Sequence, residues 1–182
     1  CNAAKRFIVT HKVANDFSAR LIASVQKLKV GDPMDSTTDI GPMARKDLAK
    51  KVKSQIEDSI KEGATAHYGM KGPEGHENFV QPVVLSGVGA NTRAYKEEVF
   101  GPVWSIVIVK DEMEAIRVAN DSMYGLGASL WTNDFQKAKE IIPQLETGNV
   151  FVNDFVRSDP ALPFGGVKRS GFGRELSKTG MM

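Results

Sequence analysis

Runs and spacings of apolar residues predict the secondary structure of the first third of the chain. The contiguous apolar residues 7–9 predict a short buried strand over residues 5–11. Apolar residues at steps of three and four predict two amphipathic helices, over residues 13–28 and from about 44 to 62. Gly63 is predicted to cap the carboxyl end of the second helix.

The rest of the chain alternates between short apolar runs and helical spacings. The predicted strands cover residues 64–68, 79–85, 104–109, 128–131 and 149–152, and a predicted helix covers residues 111–120. A last helix begins at Asp134, with Asn133 as its cap, and Pro143 is predicted to kink it or end it early. Because proline cannot donate to a neighbouring strand, Pro82 should make strand 79–85 an edge strand or a poor one.

The order of these elements predicts the fold class. Strands and helices alternate regularly in the second half, which is typical of a three-layer α/β/α domain around a mostly parallel sheet. Residues 158–182 have no regular apolar pattern and are expected to form a glycine-rich loop that leads to the start of a helix. We expect one domain over residues 1–182.

Composition narrows the function classes. The 182 residues are 41% hydrophobic and 25% charged, as in globular proteins, and a net charge of +2 without a basic stripe gives no argument for nucleic acid. No apolar run approaches the roughly 20 residues of a membrane span. A single cysteine cannot form an internal disulfide, which favours a reducing, cytoplasmic compartment. The three histidines lie far apart, so no metal site is expected.

Cys1 stands where translation would place methionine, and its origin bears on function. Three origins are open. Cys1 could be the lipid-bearing residue of an exported lipoprotein, the nucleophile of a self-processed hydrolase, or an internal residue of a larger enzyme. The early apolar residues 7–9 disfavour the polar tether of a lipoprotein. A thiol becomes a nucleophile where a helix N-terminus or a cation lowers its pKa, whereas most lone cysteines are small buried residues.

Two later stretches also carry candidate chemistry. Residues 96–102, Lys-Glu-Glu-Val-Phe-Gly-Pro, place two carboxylates just before the most apolar strand, where a carboxylate could accept hydrogen bonds from ribose hydroxyls. Such a charged pair is otherwise a solvated surface. Residues 162–176 are rich in glycine but lack the spacing of known phosphate-binding loops. They are equally consistent with a tight loop that lets the backbone pass close to another element.

Together, and in this order, these stretches resemble the aldehyde dehydrogenase superfamily. Its nucleophile segment ends in Cys-x-Ala-x-x-Arg, its cofactor loop reads Glu-Glu-Ile/Val-Phe-Gly-Pro, and a late signature reads Pro-Phe-Gly-Gly-x-Lys-x-Ser-Gly-x-Gly-Arg-Glu. The matching segments here are residues 1–6, 97–102, 119–120 with 124–126, Asn153, and 163–175. The resemblance covers essentially the whole chain.

The resemblance implies a role for several residues. Cys1 would be the catalytic thiol, Glu98 would bind the nicotinamide-ribose hydroxyls, and Phe100 would pack beside the nicotinamide of NAD or NADP. Phe164 would line the aldehyde tunnel. The family mechanism is covalent: the thiolate adds to the aldehyde, hydride passes to the cofactor, and water hydrolyses the thioester.

The resemblance also implies what the 182 residues do not include. In the family, most of the cofactor domain, the general-base glutamate and the oxyanion asparagine precede the cysteine, and a later strand joins an oligomerisation sheet. We therefore expect this chain to be a catalytic-domain fragment that is inactive alone, and the full-length protein to be a homo-oligomer, dimer or tetramer.

Residues 156–160 suggest a substrate. Val-Arg-Ser-Asp-Pro resembles the corresponding loop of bacterial succinate-semialdehyde dehydrogenases, and Arg157 with Ser158 could bind a substrate carboxylate. Arg157 could equally be a surface residue. The expected function is oxidation of an aldehyde, succinic semialdehyde first, by an NAD(P)-dependent aldehyde dehydrogenase. The alternative is an N-terminal-nucleophile hydrolase, in which the amine of Cys1 would act as the base.

Overall fold

A computed structural model describes residues 3–180, which fall into two compact units. The first unit, Ala4–Asp111, contains β1 (Arg6–Thr10), α1 (His11–Val25), α2 (Lys46–Lys61), β2 (Thr65–Tyr68), β3 (Val83–Ser86), α3 (Arg93–Lys96) and β4 (Val103–Val109). The second unit begins at Glu112 and contains α4 (Glu112–Asn120), β5 (Tyr124–Gly125), β6 (Gly127–Leu130), α5 (Phe135–Ile141), a 3-10 turn (Ile142–Gln144), β7 (Asn149–Val152), β8 (Val167–Lys168) and α6 (Ser177–Gly180). A single domain over residues 1–182 stays a prediction.

One mixed sheet forms the centre of the first unit, in the order β1-β4-β3-β2. β1 and β3 run parallel to β4, and β2 is antiparallel to β3. Five of the seven residues of β4 are buried, because a strand paired on both sides and covered on both faces has little exposed surface. The predicted α/β class with a mostly parallel sheet is confirmed.

Helices cover both faces of this sheet. On one face Ile106, Val84 and Phe7 pack against α1 through a common apolar cluster. The other face carries Arg6, whose guanidinium lies 5.7 Å from the ring centroid of Tyr95 in α3. The Ala94 amide of α3 donates to a hydroxyl of α2, Ser59 Oγ, at 2.9 Å. The first unit therefore has three layers: α1, the sheet, and α2 with α3.

The carboxyl end of α2 has the predicted glycine. Gly63 follows the helix with φ +108°, a left-handed conformation that side chains with a Cβ disfavour. The amides of Ala64 and Gly63 donate back to the carbonyls of Ser59 and Ile60 at 2.9 and 3.1 Å. This is the Schellman arrangement, which satisfies two of the last helical carbonyls.

The prediction for Pro82 is wrong. β3 lies between β4 and β2, so it is not an edge strand, and Val83, Val84 and Leu85 are completely buried. Pro82 does not interrupt the hydrogen bonds of the sheet because β3 begins one residue after it. The Pro82 carbonyl still accepts from the Gly69 amide at 2.8 Å.

The second unit contains two small sheets, with β6 parallel to β7 and β5 antiparallel to β8. The predicted cap of α5 is wrong by one residue, since Asp134 is the cap and its Oδ1 accepts from the Lys137 amide at 3.0 Å. The predicted effect of Pro143 is confirmed: α5 ends at Ile141, and the chain continues as the 3-10 turn.

Candidate functional site

Cys1, the proposed nucleophile, lies outside the described residues. The remaining predicted site residues fall into two groups. Glu98 and Phe100 belong to the first unit, whereas Arg157, Ser158 and Phe164 belong to the second. Each group is described by itself.

The first group lies on residues 97–102, which connect α3 to β4 and are called the cofactor loop below, after their predicted role. Val99 is 4% exposed and fastens the loop to the interior, whereas Phe100 is 64% exposed and Glu98 is also exposed. The buried valine thus separates two outward-facing residues. In the part of the chain that the structure describes, the Glu98 carboxylate has no hydrogen-bond or ion-pair partner, so it is available to accept from a ligand.

Glu97 ties the cofactor loop to the helical layer. Arg93 Nε donates to one Glu97 carboxylate oxygen at 2.9 Å, and Gln55 Nε2 donates to the other at 2.8 Å. Arg93 also reaches α2, because its Nη1 donates to Asp58 at 2.7 Å and to Ser54 Oγ at 3.0 Å. Of the two neighbouring glutamates, Glu97 therefore has a structural role, whereas the Glu98 carboxylate has no such partner among the described residues.

Contacts with α2 and β3 hold both ends of the cofactor loop. Gln55 Nε2 lies 3.2 Å from the Glu98 carbonyl, and the Val83 amide donates to the Pro102 carbonyl at 3.0 Å. Gly101 packs so closely on α2 that an added Cβ would lie 3.0 Å from Val52 Cγ1. The loop is thus held at both ends, which limits the loss of entropy on binding a ligand.

The exposed ring of Phe100 lies against a positively charged side chain. Lys5 Nζ lies over the Phe100 ring, 4.2 Å from its centroid, within the range of a cation–π interaction. Lys5 immediately precedes β1. The contact joins the start of the sheet to the tip of the cofactor loop and places a cation next to it.

The ionic network around Arg93 makes a prediction about acid stability. Hydrogen bonds from Arg93 and then Gln55 lower the pKa of Glu97, and hydrogen bonds from Arg93 and then Lys61 lower the pKa of Asp58. A lowered folded-state pKa contributes stability that is present above the unfolded-state pKa, about 4 for these groups, and is lost as the pH falls through the folded-state pKa. Arg93→Met should therefore unfold at a higher pH than the wild type during acid titration of the full-length protein, followed by circular dichroism.

The matched control is Arg117→Met, because Arg117 is exposed and pairs with Glu114 on the surface of α4 at 3.2 Å. It should leave the midpoint of acid unfolding unchanged. An equal shift in both variants would mean that loss of any positive charge, rather than loss of this network, lowers acid stability.

The second group of residues surrounds a groove of about 510 Å³ in the second unit. Arg157 and Phe164 both line it, together with β7 and the neighbouring loop residues Asp154 and Asp159. Ser158 is exposed and is not among the lining residues. The structure thus brings Arg157 and Phe164 together and leaves Ser158 outside the groove.

The charge of the groove was not anticipated from the sequence. Arg157 is 62% exposed, and its Nη2 lies 2.9 Å from Asp154 Oδ2. Asp159 accepts a hydrogen bond from the Ala161 amide at 2.9 Å. Since a guanidinium has five N–H donors, Arg157 can keep this partner and still bind a second carboxylate. The spacing of Asp154 and Arg157, three residues apart, was the signal in the sequence for this pair.

The glycine-rich segment 163–175 serves to close a tight loop. Phe164 and Glu175 exchange backbone hydrogen bonds of 2.8 and 2.7 Å. A Cβ on Gly148 would collide with the Gly165 carbonyl, so the two backbones approach more closely than other residues allow. Asn149 Nδ2 donates to the same carbonyl at 2.8 Å. The interpretation of a close backbone approach is confirmed, and the approach helps to position Phe164 in the groove.

The wider sequence matches decide the family. The sequence model described as the aldehyde dehydrogenase family matches residues 1–182. The chain belongs to this family. The resemblance seen in the motifs is confirmed, and the alternative of an N-terminal-nucleophile hydrolase is not retained.

Individual family members show what share of their length this chain covers. A probable succinate-semialdehyde dehydrogenase [NADP(+)] of Synechocystis sp. is 46% identical over 182 residues, which are 100% of this chain and 40% of that protein. Succinic semialdehyde dehydrogenase of Streptococcus pyogenes, solved in complex with NADP⁺, matches with a TM-score of 0.91 and 40% identity over 99% of this chain and 40% of its own. The chain thus spans about 40% of the length of these relatives.

A third family member carries a different name and nucleotide. Betaine aldehyde dehydrogenase of Staphylococcus aureus, solved in complex with NAD⁺, matches with a TM-score of 0.90 and 35% identity over 100% of this chain and 37% of its own. The fold of this chain is therefore shared by family members with different names and different bound nucleotides.

Residues 3–180 also bear on two other types of site. Among these residues no helix combines the length and the apolar character needed to cross a membrane. Nor do they contain a group of three or more His, Cys, Asp or Glu side chains placed to hold a metal ion.

Proposed function

We propose that this chain is the thiol-bearing part of an NAD(P)-dependent aldehyde dehydrogenase whose preferred substrate is succinic semialdehyde. The observation that carries the proposal is the family match over residues 1–182. The names of the relatives described above support the substrate, and the cofactor loop supports the use of a nicotinamide nucleotide.

The residues of the cofactor loop fit the proposed nucleotide. Glu98 offers carboxylate oxygens to the hydroxyls of a ribose, which are hydrogen-bond donors, and Phe100 offers an exposed aromatic face to the nicotinamide ring. When bound, the nucleotide supplies the hydride acceptor of the oxidation. NADP is the first candidate because the Synechocystis and Streptococcus relatives carry it in their names or crystals, and NAD remains in the comparison.

Cys1 would carry the covalent chemistry. Its thiolate adds to the aldehyde carbonyl and forms a thiohemiacetal, which loses a hydride to become a thioester on the same sulfur. Water then attacks the thioester carbon, releases the carboxylic acid and returns the thiol. One aldehyde and one water are consumed for each acid formed, and two electrons leave with the hydride.

The groove of the second unit would bind the substrate. Phe164 offers an apolar wall to the short carbon chain, and Arg157 offers the N–H donors that Asp154 does not occupy to the distal carboxylate. Ser158 stays a proposed contact of the same carboxylate, although its exposed side chain does not line the groove. The negative charges of Asp154 and Asp159 repel a substrate carboxylate, so Arg157 should raise the affinity for succinic semialdehyde only moderately.

Steady-state kinetics of the full-length protein tests this function. We would compare succinic semialdehyde, butanal and betaine aldehyde, which are anionic, neutral and cationic, each with NAD and with NADP. The expected result is the highest kcat/KM for succinic semialdehyde. A higher value for butanal or betaine aldehyde would contradict the substrate, and no reduction of either nucleotide with any aldehyde would contradict the activity.

The 182-residue chain alone should show no turnover. It spans about 40% of its relatives, and the family resemblance places the general base and most of the cofactor site in the part that it does not cover. Purified chain mixed with succinic semialdehyde and NADP should give no absorbance change at 340 nm beyond a protein-free blank. Turnover by the chain alone would show that these 182 residues contain a complete site. We also propose that the full-length protein is a dimer or tetramer, which light scattering would measure.

A further inference from the structure

Gln55 is a buried polar residue that contacts the cofactor loop directly. Its side chain lies in the middle of α2 and is 1% exposed. Nε2 is shared between Glu97 Oε2 at 2.8 Å and the Glu98 carbonyl at 3.2 Å. Both partners are acceptors, which fixes the orientation of the amide group.

The other end of the same amide is unsatisfied. Among the residues that the structure describes, Gln55 Oε1 is buried and has no hydrogen-bond partner. Leaving a buried acceptor unpaired destabilises a fold, and an apolar side chain of the same length would avoid that penalty. Such local conflicts are expected at functional positions, where another requirement outweighs stability.

The geometry suggests what that requirement is. Glu97 Oε1 is held by Arg93 at 2.9 Å, so the Gln55 amide fixes the second oxygen and with it the rotation of the Glu97 carboxylate. The bond to the Glu98 carbonyl acts on the main chain of the proposed ligand itself. Gln55 thus restrains the residues on both sides of the Glu97–Glu98 peptide.

We propose that Gln55 is a positioning residue that sets the orientation of Glu98 and Phe100 and thereby the affinity for the nicotinamide nucleotide. The proposal rests on the proposed function, because it takes Glu98 and Phe100 as cofactor contacts. Gln55 itself touches the loop and acts through it. Removing the amide should weaken nucleotide binding, because the loop then has to be ordered at the moment of binding.

The test uses Gln55→Met in the full-length protein, since methionine keeps the length and flexibility of the side chain without its donor. NADPH binding is measured by fluorescence titration, and we expect the Kd to rise about tenfold, the effect of losing one hydrogen bond to a charged group. The thermal midpoint should stay at or above that of the wild type, because the unsatisfied Oε1 is removed as well. Hydrogen exchange of the amides of residues 97–101, without nucleotide, should become faster.

Two further variants serve as a negative and a positive control. Gln81→Met is the matched control, because Gln81 is half-buried and also donates to a backbone carbonyl, that of Gly69 at 2.7 Å, but has no hydrogen bond to the loop among the described residues. It should leave the Kd unchanged. Glu98→Gln removes a proposed contact directly and should raise the Kd even where the loop is intact.

The outcomes separate this proposal from the proposed function. If the wild type does not bind NADPH or NADH, the proposed function fails. If the wild type binds and Glu98→Gln weakens binding while Gln55→Met has the Kd of the wild type, the positioning role is overturned. Should Gln55→Met fail to fold, Glu97→Gln serves instead, because Glu97 is partly exposed and its change weakens the same contacts. A folded Glu97→Gln protein with the wild-type Kd overturns the proposal as well.

Discussion

Replacing Cys1 by serine in the full-length protein is expected to lower kcat by roughly four orders of magnitude, the usual cost of removing a nucleophile from a covalent mechanism. Serine keeps the size of the side chain, but its hydroxyl is far less acidic than a thiol and would need a base to ionise it. Stopped-flow absorbance at 340 nm would also lose any rapid burst of reduced nucleotide that precedes hydrolysis in the wild type.

Nucleotide binding is the control for this variant. Because Glu98 and Phe100 are unchanged, the Kd for NADPH should stay within about twofold of the wild-type value, within the error of such a titration. Iodoacetamide should label Cys1 in the wild type and abolish turnover with the same time course. A Cys1→Ser protein that retains more than a tenth of the wild-type kcat would rule out Cys1 as the nucleophile.

Replacing Arg157 by alanine is expected to lower kcat/KM for succinic semialdehyde about tenfold, toward the lower end of what a hydrogen bond between charged groups contributes, because the side chain is largely exposed. Two effects add. The substrate carboxylate loses its cationic partner, and Asp154 loses the guanidinium that neutralises it. The kcat/KM for butanal, which has no carboxylate, should change by less than about twofold.

Arg169→Ala is the matched control for Arg157→Ala. Arg169 is an exposed arginine of the same unit, but it does not line the groove, and its Nη1 lies 3.5 Å from Met123 Sδ. If Arg169→Ala reduces activity with succinic semialdehyde as much as Arg157→Ala does, the effect comes from overall charge. An unchanged ratio of succinic semialdehyde to butanal in Arg157→Ala would remove Arg157 from the substrate site.

The sequence predicted the long elements well because their apolar periods are clear. Residues 44–62 have apolar residues at steps of four, and α2 begins and ends within two residues of that range. β4 matches the predicted strand 104–109 to within one residue, because an uninterrupted apolar run in a parallel sheet has few alternatives. The alternation of strands and helices predicted a mostly parallel sheet, but it did not predict the order of β1, β4 and β3 within it.

The shortest elements could not be predicted in the same way. α3 has four residues, and β5 and β8 have two each, which is too short for an apolar pattern to repeat. The position of β3 depended on its neighbours in space, so a rule about Pro82 alone gave the wrong answer. Asn133 and Asp134 are both good caps, and only the backbone geometry decides between them.

For the candidate site, the family motifs identified the residues, but they did not show which of them hold the loop in place and which face outward. Glu97 and Glu98 are equivalent by composition. Only the contacts of Glu97 with Arg93 and Gln55 distinguish it from Glu98, whose carboxylate has no partner among residues 3–180. Gln55 lies 42 positions before Glu97, so no local pattern could have linked them. Asp154 and Arg157, by contrast, lie only three positions apart, so their pairing could have been considered from the sequence.

The pairing of β1 with β4 has a consequence for how the protein is made. Its partners are separated by almost the whole first unit, and His11 Nδ1 donates to the Lys110 carbonyl across 99 positions. At about 5–20 residues per second, a ribosome needs roughly 5–20 seconds to synthesise the intervening segment. During that time β1 and the aromatic pair Phe7 and Phe17 lack the strand that later packs beside them. Closing so long a loop is slow, so the apolar residues of β1 stay exposed until β4 is available to cover them. The strand that follows Cys1 is thus secured only after β4 has been made.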